Sequence, residues 1–198
     1  MKGKLITLYG INNIGKTTHA KKLVTRLKKE GHKAVYVKYP VYSLKPTGVF
    51  LNKILRKSSS NKQSIGEEEL QMWFTLNRYQ YEPVLRRMLE RGVVVIAEDY
   101  TGTGIGWGTA KSADRTWLEE INKHLLREDF AILMEGKREA KAQEKNHIHE
   151  SNHALIAKAE RVFSQLATAY RWKRVRVLPK QRDTAEAIYS VVKKFLTA

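Results

Sequence analysis

The chain has 198 residues, 42% of them hydrophobic, which suits one compact domain over residues 1–198 with a substantial core. It has no cysteine, which excludes disulfides, thiol catalysis and cysteine-ligated zinc and leads us to expect a cytoplasmic location. Its formal net charge of +17 suits a solvated surface, steering of anionic nucleotides or, as the least favoured of the three, nucleic-acid binding. No run of about 18 apolar residues exists, so we expect no membrane partner.

Short apolar strands alternate with helical segments about five times along the chain. In chain order, the pattern predicts strands at 4–9, 33–39, 93–97, 130–134 and 174–178, and helices at 17–29, 46–56, 66–91, 110–127, 150–172 and 184–196. This alternation predicts a three-layer α/β fold, in which a five-stranded parallel sheet carries helices on both faces. Ligands of such sheets bind at the carboxyl ends of the strands.

The long helix predicted at 66–91 carries two local signals. Ser64, with Glu67 three residues later, matches the capping-box pattern and would start the helix after a serine-rich loop. Pro83 lacks a backbone N–H and its ring clashes with the carbonyl of Tyr79, so we expect the helix to kink or split there.

The segment between the first strand and the first helix reads Gly-Ile-Asn-Asn-Ile-Gly-Lys-Thr, residues 10–17. It matches the phosphate-binding pattern G-x-x-x-x-G-K-[ST], and its strand-to-helix context argues against a chance match. Backbone N–H groups would surround phosphates, Lys16 would reach the outer phosphates and Thr17 would ligate Mg²⁺. The predicted triphosphate-binding residues are Gly10, Asn13, Ile14, Gly15, Lys16, Thr17 and Thr18.

A second signal follows the third strand, where Glu98 and Asp99 precede four glycines within residues 102–108. An acid at the carboxyl end of a buried strand lies where a phosphate-loop enzyme organises magnesium, so Thr17 and Glu98 are the predicted metal ligands. We expect the glycine-rich stretch to let backbone approach a ligand. The alternative is a glycine-rich surface loop capped by acids.

Two further segments have residue types that suit nucleotides. Phe74 and Arg78 lie four apart on one helix face, so one can stack on a nucleobase while the other donates to its carbonyl oxygens. The alternative is a core phenylalanine and a surface arginine. Residues 136–150 are densely charged, which suits either a lid that brings cations over a migrating phosphate or a solvated helix face.

Taken together, these segments resemble the thymidylate kinase family of P-loop nucleoside monophosphate kinases, in the family's order and over nearly the whole chain. Phe74 and Arg78 match its Phe-x-x-x-Arg pair, and Glu98, Asp99 and Tyr100 align with its Asp-Arg-Tyr motif. The resemblance implies ATP- and Mg²⁺-dependent phosphoryl transfer to dTMP, giving dTDP. It also implies small nucleotide substrates and a homodimer.

The resemblance assigns roles to individual residues on the acceptor side. Phe74 would stack on thymine, and Arg78 would donate to a thymine carbonyl. Trp107 would crowd the sugar 2′ position, Thr103 would lie near the base, and Asn12 would hydrogen-bond the deoxyribose 3′-hydroxyl. The predicted substrate-binding set is Asn12, Tyr39, Phe74, Arg78, Asp99, Thr103 and Trp107.

Two positions depart from the family pattern where it holds the acceptor phosphate. Asp99 replaces one arginine, and Tyr42 stands about where a second arginine often follows the proline after the second strand. Either another cation replaces them, with Lys38, Lys45 and Arg56 as candidates, or the acceptor differs. The alternatives are therefore a kinase for dUMP, a modified deoxynucleotide or thymidine, and a nucleotide-binding protein with little turnover.

The lid is the expected source of the catalytic cation, because Asn13 stands where some family members place an arginine in the phosphate loop. Arg138 is favoured, with Lys137, Lys141 and Lys145 behind it. The predicted catalytic residues are Lys16, Glu98 and Arg138.

Overall fold

The computed structural model describes residues 2–56, 65–136 and 153–197, whose strands form one sheet. The strands are β1 (Lys4–Tyr9), β2 (Ala34–Lys38), β3 (Val94–Glu98), β4 (Phe130–Glu135) and β5 (Lys173–Arg176). The helices are α1 (Lys16–Lys29), α2 (Thr47–Arg56), α3 (Glu67–Glu90), α4 (Thr101–Ala110), α5 (Arg115–Asn122), α6 (His153–Ala169) and α7 (Gln181–Thr197).

The sheet is parallel throughout and has the strand order β2-β3-β1-β4-β5. Its register pairs Leu8 of β1 with Glu98 of β3, and Glu98 with Lys38 of β2. The carboxyl ends of these three strands therefore lie side by side. The loops that follow β1 and β3 leave the same edge of the sheet, where ligands of parallel sheets bind.

Helices cover both faces of the sheet, which confirms the predicted three-layer α/β architecture. On one face α1 and α7 pack together, with α1 against β1, β2 and β3 and α7 against β5. On the other face α3 packs on β3 and α6 on β4, and α4 lies between those two helices. Parallel strands buried on both faces read as continuous apolar runs, which explains why every residue of β3 is buried.

The hydrophobic core lies along the central strands and takes in residues from all five strands. Leu5, Ile6 and Ile96 have no exposed surface at all. Burying one such aliphatic side chain stabilises the fold by about 1.5–3 kcal/mol. This core fixes the strand ends, and with them the loops that carry the polar residues.

The prediction of a single helix over 110–127 is wrong. The glycine-rich segment forms α4, and α5 is separate. Ser112 lies between them in the left-handed region, at φ 75°, and Asp114 caps α5 by accepting a hydrogen bond from the Trp117 N–H. These two features end one helix and start the next.

The glycines of α4 are packed against protein side chains. A Cβ added at Gly106 would lie 2.7 Å from the Phe163 ring, and one at Gly108 would lie 2.8 Å from Leu118. Glycine has low helix propensity, but close packing on several sides overrides that preference here. The interpretation of this stretch as a surface loop is therefore wrong, whereas an approach of its backbone to a ligand stays a prediction.

The two local signals predicted in α3 have different outcomes. The helix runs without a break through Pro83, so a split is wrong, whereas a kink there stays a prediction. Gly66 is the N-cap residue and no side chain caps it, while the Glu67 carboxylate accepts hydrogen bonds from Gln71 and Lys111. The capping box is therefore wrong, and Ser64 itself lies outside the described residues. None of the helices in the described part of the chain has the length and apolar character needed to cross a bilayer.

Candidate active site

The loop between β1 and α1 has a backbone that suits phosphate binding. Gly10, Asn13 and Gly15 have positive φ angles of 143°, 62° and 93°. A Cβ added at Gly10 would lie 2.8 Å from the Met134 carbonyl oxygen, so only glycine fits there. Gly15 is the N-cap of α1 and no side chain caps it. The N–H groups of the first helical turn therefore remain for an anion.

Lys16 is folded back over this loop and is only 5% exposed. Its ammonium donates to the carbonyl oxygens of Gly10 and Ile11, at 3.0 and 2.9 Å. It also forms an ion pair with Asp99, with 3.4 Å between Nζ and Oδ1. The ammonium is therefore held at the centre of the loop, where phosphates would bind.

Asp99 faces this lysine because its backbone has the left-handed φ of 62°. The Thr103 hydroxyl donates to the same carboxylate oxygen at 3.1 Å and fixes its orientation. Burial and the neighbouring charge of Glu98 raise the pKa of Asp99, although Lys16 acts in the opposite direction. The residue predicted to bind the acceptor thus lies against the phosphate-loop lysine.

Glu98, the last residue of β3, contacts side chains of α1 and β2. The Thr17 hydroxyl donates to its Oε1 at 2.8 Å, and the Lys38 ammonium lies 3.2 Å from that same oxygen. The Tyr36 hydroxyl donates to Oε2. The structure thus brings together the two predicted magnesium ligands, Thr17 and Glu98. A hydroxyl beside a buried carboxylate is the kind of oxygen donor pair that Mg²⁺ prefers.

Lys38 and Tyr36 both lie in the electric field of the strand-end carboxylates. Burial works against the Lys38 ammonium, but the charges of Glu98 and Asp99 outweigh it and raise the pKa of Lys38. Burial and the Glu98 carboxylate raise the pKa of Tyr36, so its hydroxyl stays protonated and donates. Tyr36 was missed by the sequence analysis, although it shares a strand face with Lys38, two residues away.

The remaining predicted loop residues differ in environment. Ile14 is buried in the hydrophobic core, whereas Thr18 is exposed on α1 and Asn12 is half-buried. The side-chain amide nitrogen of Asn13, Nδ2, is buried and has no hydrogen-bond partner in the described part of the chain. Because buried polar groups are normally satisfied, this donor suits a phosphate oxygen.

Phe74 and Arg78 lie on α3, and the alternative of a surface arginine is wrong. Phe74 is half-buried, whereas Arg78 is 4% exposed. The Arg78 Nη1 donates to the side-chain oxygens of Asn122, at 3.1 Å, and Thr75, at 3.4 Å. Burial lowers the pKa of Arg78, and its Nε has no partner among the described residues. Such a guanidinium gains from a ligand that accepts hydrogen bonds.

Two tyrosines share the environment of Arg78. The rings of Tyr39 and Tyr100 lie 5.0 Å apart between centroids, and both residues act electrostatically on Arg78. Their hydroxyls are also buried, without partners in the described segments. Gly104 of α4 leaves room for the guanidinium, because an added Cβ would lie 2.8 Å from Nη2. Three unsatisfied polar groups therefore lie in one region between α3 and α4.

Thr103 and Trp107 lie one turn apart on α4. The Thr103 hydroxyl contacts Asp99, and Trp107 packs edge-on against Phe163, with 6.3 Å between ring centroids. Trp107 is part of the hydrophobic core. Their contacts with base and sugar stay predictions.

The lid prediction falls on residues outside the described part of the chain. Gly136 is the last described residue before it, so Arg138 and Lys137, Lys141 and Lys145 are not described. Of the cations proposed to replace the two arginines, Lys38 contacts Glu98, Lys45 is exposed, and the Arg56 side chain lies outside the description.

A glycine-containing loop after a central parallel strand, its lysine and a hydroxyl–carboxylate pair define a P-loop phosphotransferase. Comparison with known proteins narrows this class. The sequence model of the family described as thymidylate kinase matches residues 8–188. The human thymidylate kinase is 26% identical over 179 residues, with 88% of this chain and 82% of the human protein covered.

Two other relatives agree. A probable thymidylate kinase from Pyrococcus horikoshii is 30% identical over 137 residues, covering 68% of this chain and 66% of the relative. The solved structure of Candida albicans thymidylate kinase superposes with a TM-score of 0.78 at 20% identity, covering 98% of this chain and 92% of that one. The chain belongs to the thymidylate kinase family, which confirms the resemblance and the enzyme class, a nucleoside monophosphate kinase.

Proposed function

We propose that this protein transfers the γ-phosphoryl group of ATP to dTMP and forms dTDP and ADP, with Mg²⁺ bound at the strand ends. The observation that carries the proposal is the position of two sets of residues at one sheet edge. Lys16, Thr17 and Glu98 form the phosphate side. Arg78 and its tyrosine neighbours form a buried, unsatisfied polar region close enough for Asp99 to act on Arg78.

On the donor side, the first turn of α1 and the Lys16 ammonium would hold the outer phosphates of ATP. The described segments contain no cluster of three or more His, Asp or Glu side chains arranged to hold a metal. This agrees with magnesium, which proteins often bind through one or two side chains plus substrate phosphates. Thr17 and Glu98 would hold Mg²⁺, which neutralises phosphate charge when it is bound.

On the acceptor side, the hydrogen-bonding groups suit a pyrimidine base. Thymine has two ring carbonyl oxygens and one N–H. The unsatisfied Arg78 Nε and the hydroxyls of Tyr39 and Tyr100 provide donors and acceptors for such an edge. The half-buried ring of Phe74, one turn before Arg78, would stack on the base.

The chain contributes positioning and charge to the reaction. A dTMP phosphate oxygen attacks the γ-phosphorus and forms the new O–P bond, while the bond between the γ-phosphorus and the β,γ-bridging oxygen breaks and ADP leaves. Lys16 stabilises the charge on the moving group. We assign to Arg138 the role of the second catalytic side-chain cation, beside Lys16. Arg138→Ala should therefore lower turnover more than it lowers the affinity for ATP.

Asp99 bears on the choice of acceptor. Its charge reversal relative to the family pattern is the main argument for an acceptor without a phosphate. Its carboxylate, however, is paired with Lys16 and hydrogen-bonded to Thr103, so its charge is partly neutralised. This pairing supports dTMP over thymidine.

The test is ADP release with ATP, Mg²⁺ and dTMP. We expect turnover in the wild type and a loss of at least ~10²-fold in Lys16→Ala, because one preorganised charge on the transferred group is worth that much. Lys29→Ala, at an exposed lysine of the same helix, is the matched control and should keep full activity. Near-normal turnover in Lys16→Ala would remove the phosphate-loop assignment.

We also propose that the protein is a homodimer that associates through α3. Met72, Leu76 and Tyr79 form an exposed apolar row on this helix, with Met72 and Leu76 about half exposed. They line a groove of about 430 Å³ together with Glu69, Trp73, Thr75 and Ile121. Apolar surface of this kind favours association. Leu76→Glu should give a monomer in analytical ultracentrifugation, whereas Val49→Glu, at an exposed valine of α2, should not; a wild-type monomer would contradict the proposal.

A further inference from the structure

We propose that Lys38 is the cation that binds the acceptor phosphate. This assignment rests on the proposed function, because it needs a phosphorylated acceptor. Two lysines contact the strand-end carboxylates in the described part of the chain: Lys16 with Asp99, and Lys38 with Glu98. Lys16 is buried within the phosphate loop, where it serves the donor. Lys38 has a side chain that is 47% exposed, so its ammonium is accessible to a second anion.

The position of Lys38 relative to the donor phosphates supports this role. Its ammonium and the Thr17 hydroxyl contact the same Glu98 oxygen, so Lys38 lies next to the predicted magnesium ligand. The attacking oxygen must come within about 3–3.5 Å of the γ-phosphorus, so the acceptor phosphate has to lie beside the donor site. In the sheet, β2 lies next to β3, and β3 is the strand on which α3, the helix of Arg78, packs.

The charges at this edge make such a cation necessary. Glu98 and Asp99 would repel an incoming phosphate unless lysines neutralise them. The Lys38 ammonium lies 3.2 Å from Glu98 Oε1. It has three N–H donors, and the contact with Glu98 holds it in place while leaving donors for phosphate oxygens.

The experiment uses calorimetry to compare the binding of dTMP and thymidine, which differ only in the phosphate. The proteins are the wild type, Lys38→Met, Lys38→Arg and Lys33→Met. We expect Lys38→Met to weaken dTMP binding about 10- to 100-fold, the range for a lost charge-assisted hydrogen bond. The binding of thymidine and of ATP should stay unchanged. Lys38→Arg should retain most of the dTMP affinity. Lys33→Met, at an exposed lysine directly before β2, is the control and should bind dTMP like the wild type.

Three outcomes would overturn the assignment. Equal losses for dTMP and thymidine would show that Lys38 supports the base site or the fold. Unchanged dTMP affinity with a lower kcat and altered Mg²⁺ dependence would show that it acts only through Glu98. A wild type that binds thymidine but not dTMP would overturn both this assignment and the proposed acceptor, whereas the first two outcomes leave the proposed function intact.

Discussion

The Lys16 ammonium lies 3.4 Å from the Asp99 carboxylate, so the cation of the phosphate loop already has an anionic partner within this chain. The pairing depends on two features of the sequence. β1 and β3 are neighbours in the sheet, and Asp99 adopts a left-handed backbone conformation directly after β3. A triphosphate that binds to the loop must compete with this carboxylate for the lysine.

Asp99→Asn should therefore strengthen ATP binding. The amide keeps an oxygen for the Thr103 hydroxyl but removes the charge that competes for Lys16 and repels phosphates. The pair is largely buried, with side chains 4% and 16% exposed, so it is worth at least about 1 kcal/mol and we expect the KM for ATP to fall about 5-fold or more. Glu120→Gln, at an exposed carboxylate of α5, is the control. A higher KM for ATP would mean that Asp99 takes part in binding the donor.

Phe74→Ala should weaken binding of the acceptor dTMP and leave binding of the donor ATP unchanged. Stacking of a base on an aromatic ring contributes about 1–3 kcal/mol, so the KM for dTMP should rise about 10-fold or more. The KM for ATP should stay constant. Phe50→Ala removes a ring that packs on Trp73 outside the site, with 4.1 Å between the ring centroids, and should change neither KM. Equal losses for both nucleotides in Phe74→Ala would instead assign Phe74 to the core.

Substitutions at two glycines of α4 should distinguish an effect on acceptor binding from an effect on the stability of the fold. In Gly104→Ala the new Cβ meets Arg78, so the guanidinium must move and the KM for dTMP should rise about 10-fold. In Gly106→Ala it meets Phe163, which should destabilise the fold by ~1–3 kcal/mol without changing the KM. In Gly66→Ala the new Cβ meets no atom within 4 Å, so the KM for dTMP should not change. If both α4 variants have the same kinetics, Arg78 does not contact the acceptor.

Glu128→Gln should change how stability depends on pH. The Tyr9 hydroxyl donates to Glu128 Oε1 at 2.9 Å, and burial raises the pKa of this carboxyl above its usual 4.5. The folded state therefore holds the proton more tightly than the unfolded state. The stabilisation is complete below about pH 4.5 and is lost as the pH rises through the native pKa.

In thermal melts from acid to neutral pH, Glu128→Gln should thus gain stability relative to the wild type as the pH rises. The amide keeps the oxygen that accepts from Tyr9, and it never ionises. If Glu128→Gln instead loses stability relative to the wild type as the pH rises, the ionised carboxylate stabilises the fold.

Much of the fold could be predicted because strand and loop signals are local. The apolar runs of β1, β3 and β4 and the phosphate loop appear within a few neighbouring residues. The sequence could not reveal that the glycines of α4 form a helix, because the side chains that stabilise it come from elsewhere in the chain, such as Phe163 and Leu118. Local propensity then gives the wrong answer.

The site shows the same division. Thr17 and Glu98 could be paired in advance, because Glu98 ends β3 and Thr17 follows the loop after β1, the neighbouring strand. The burial of Arg78 and its contact with Asn122 of α5 could not, since the two residues are 44 positions apart and no local pattern links them. The sequence also could not show that Asp99 faces Lys16, because this direction depends on the backbone angle φ of Asp99.

The most direct test is a coupled ADP-release assay with ATP and Mg²⁺, in which dTMP, dUMP, UMP, dCMP and thymidine are compared side by side. We expect the highest kcat/KM for dTMP and little or no turnover of thymidine. Preferred turnover of thymidine, or ATP binding without turnover of any acceptor, would contradict it.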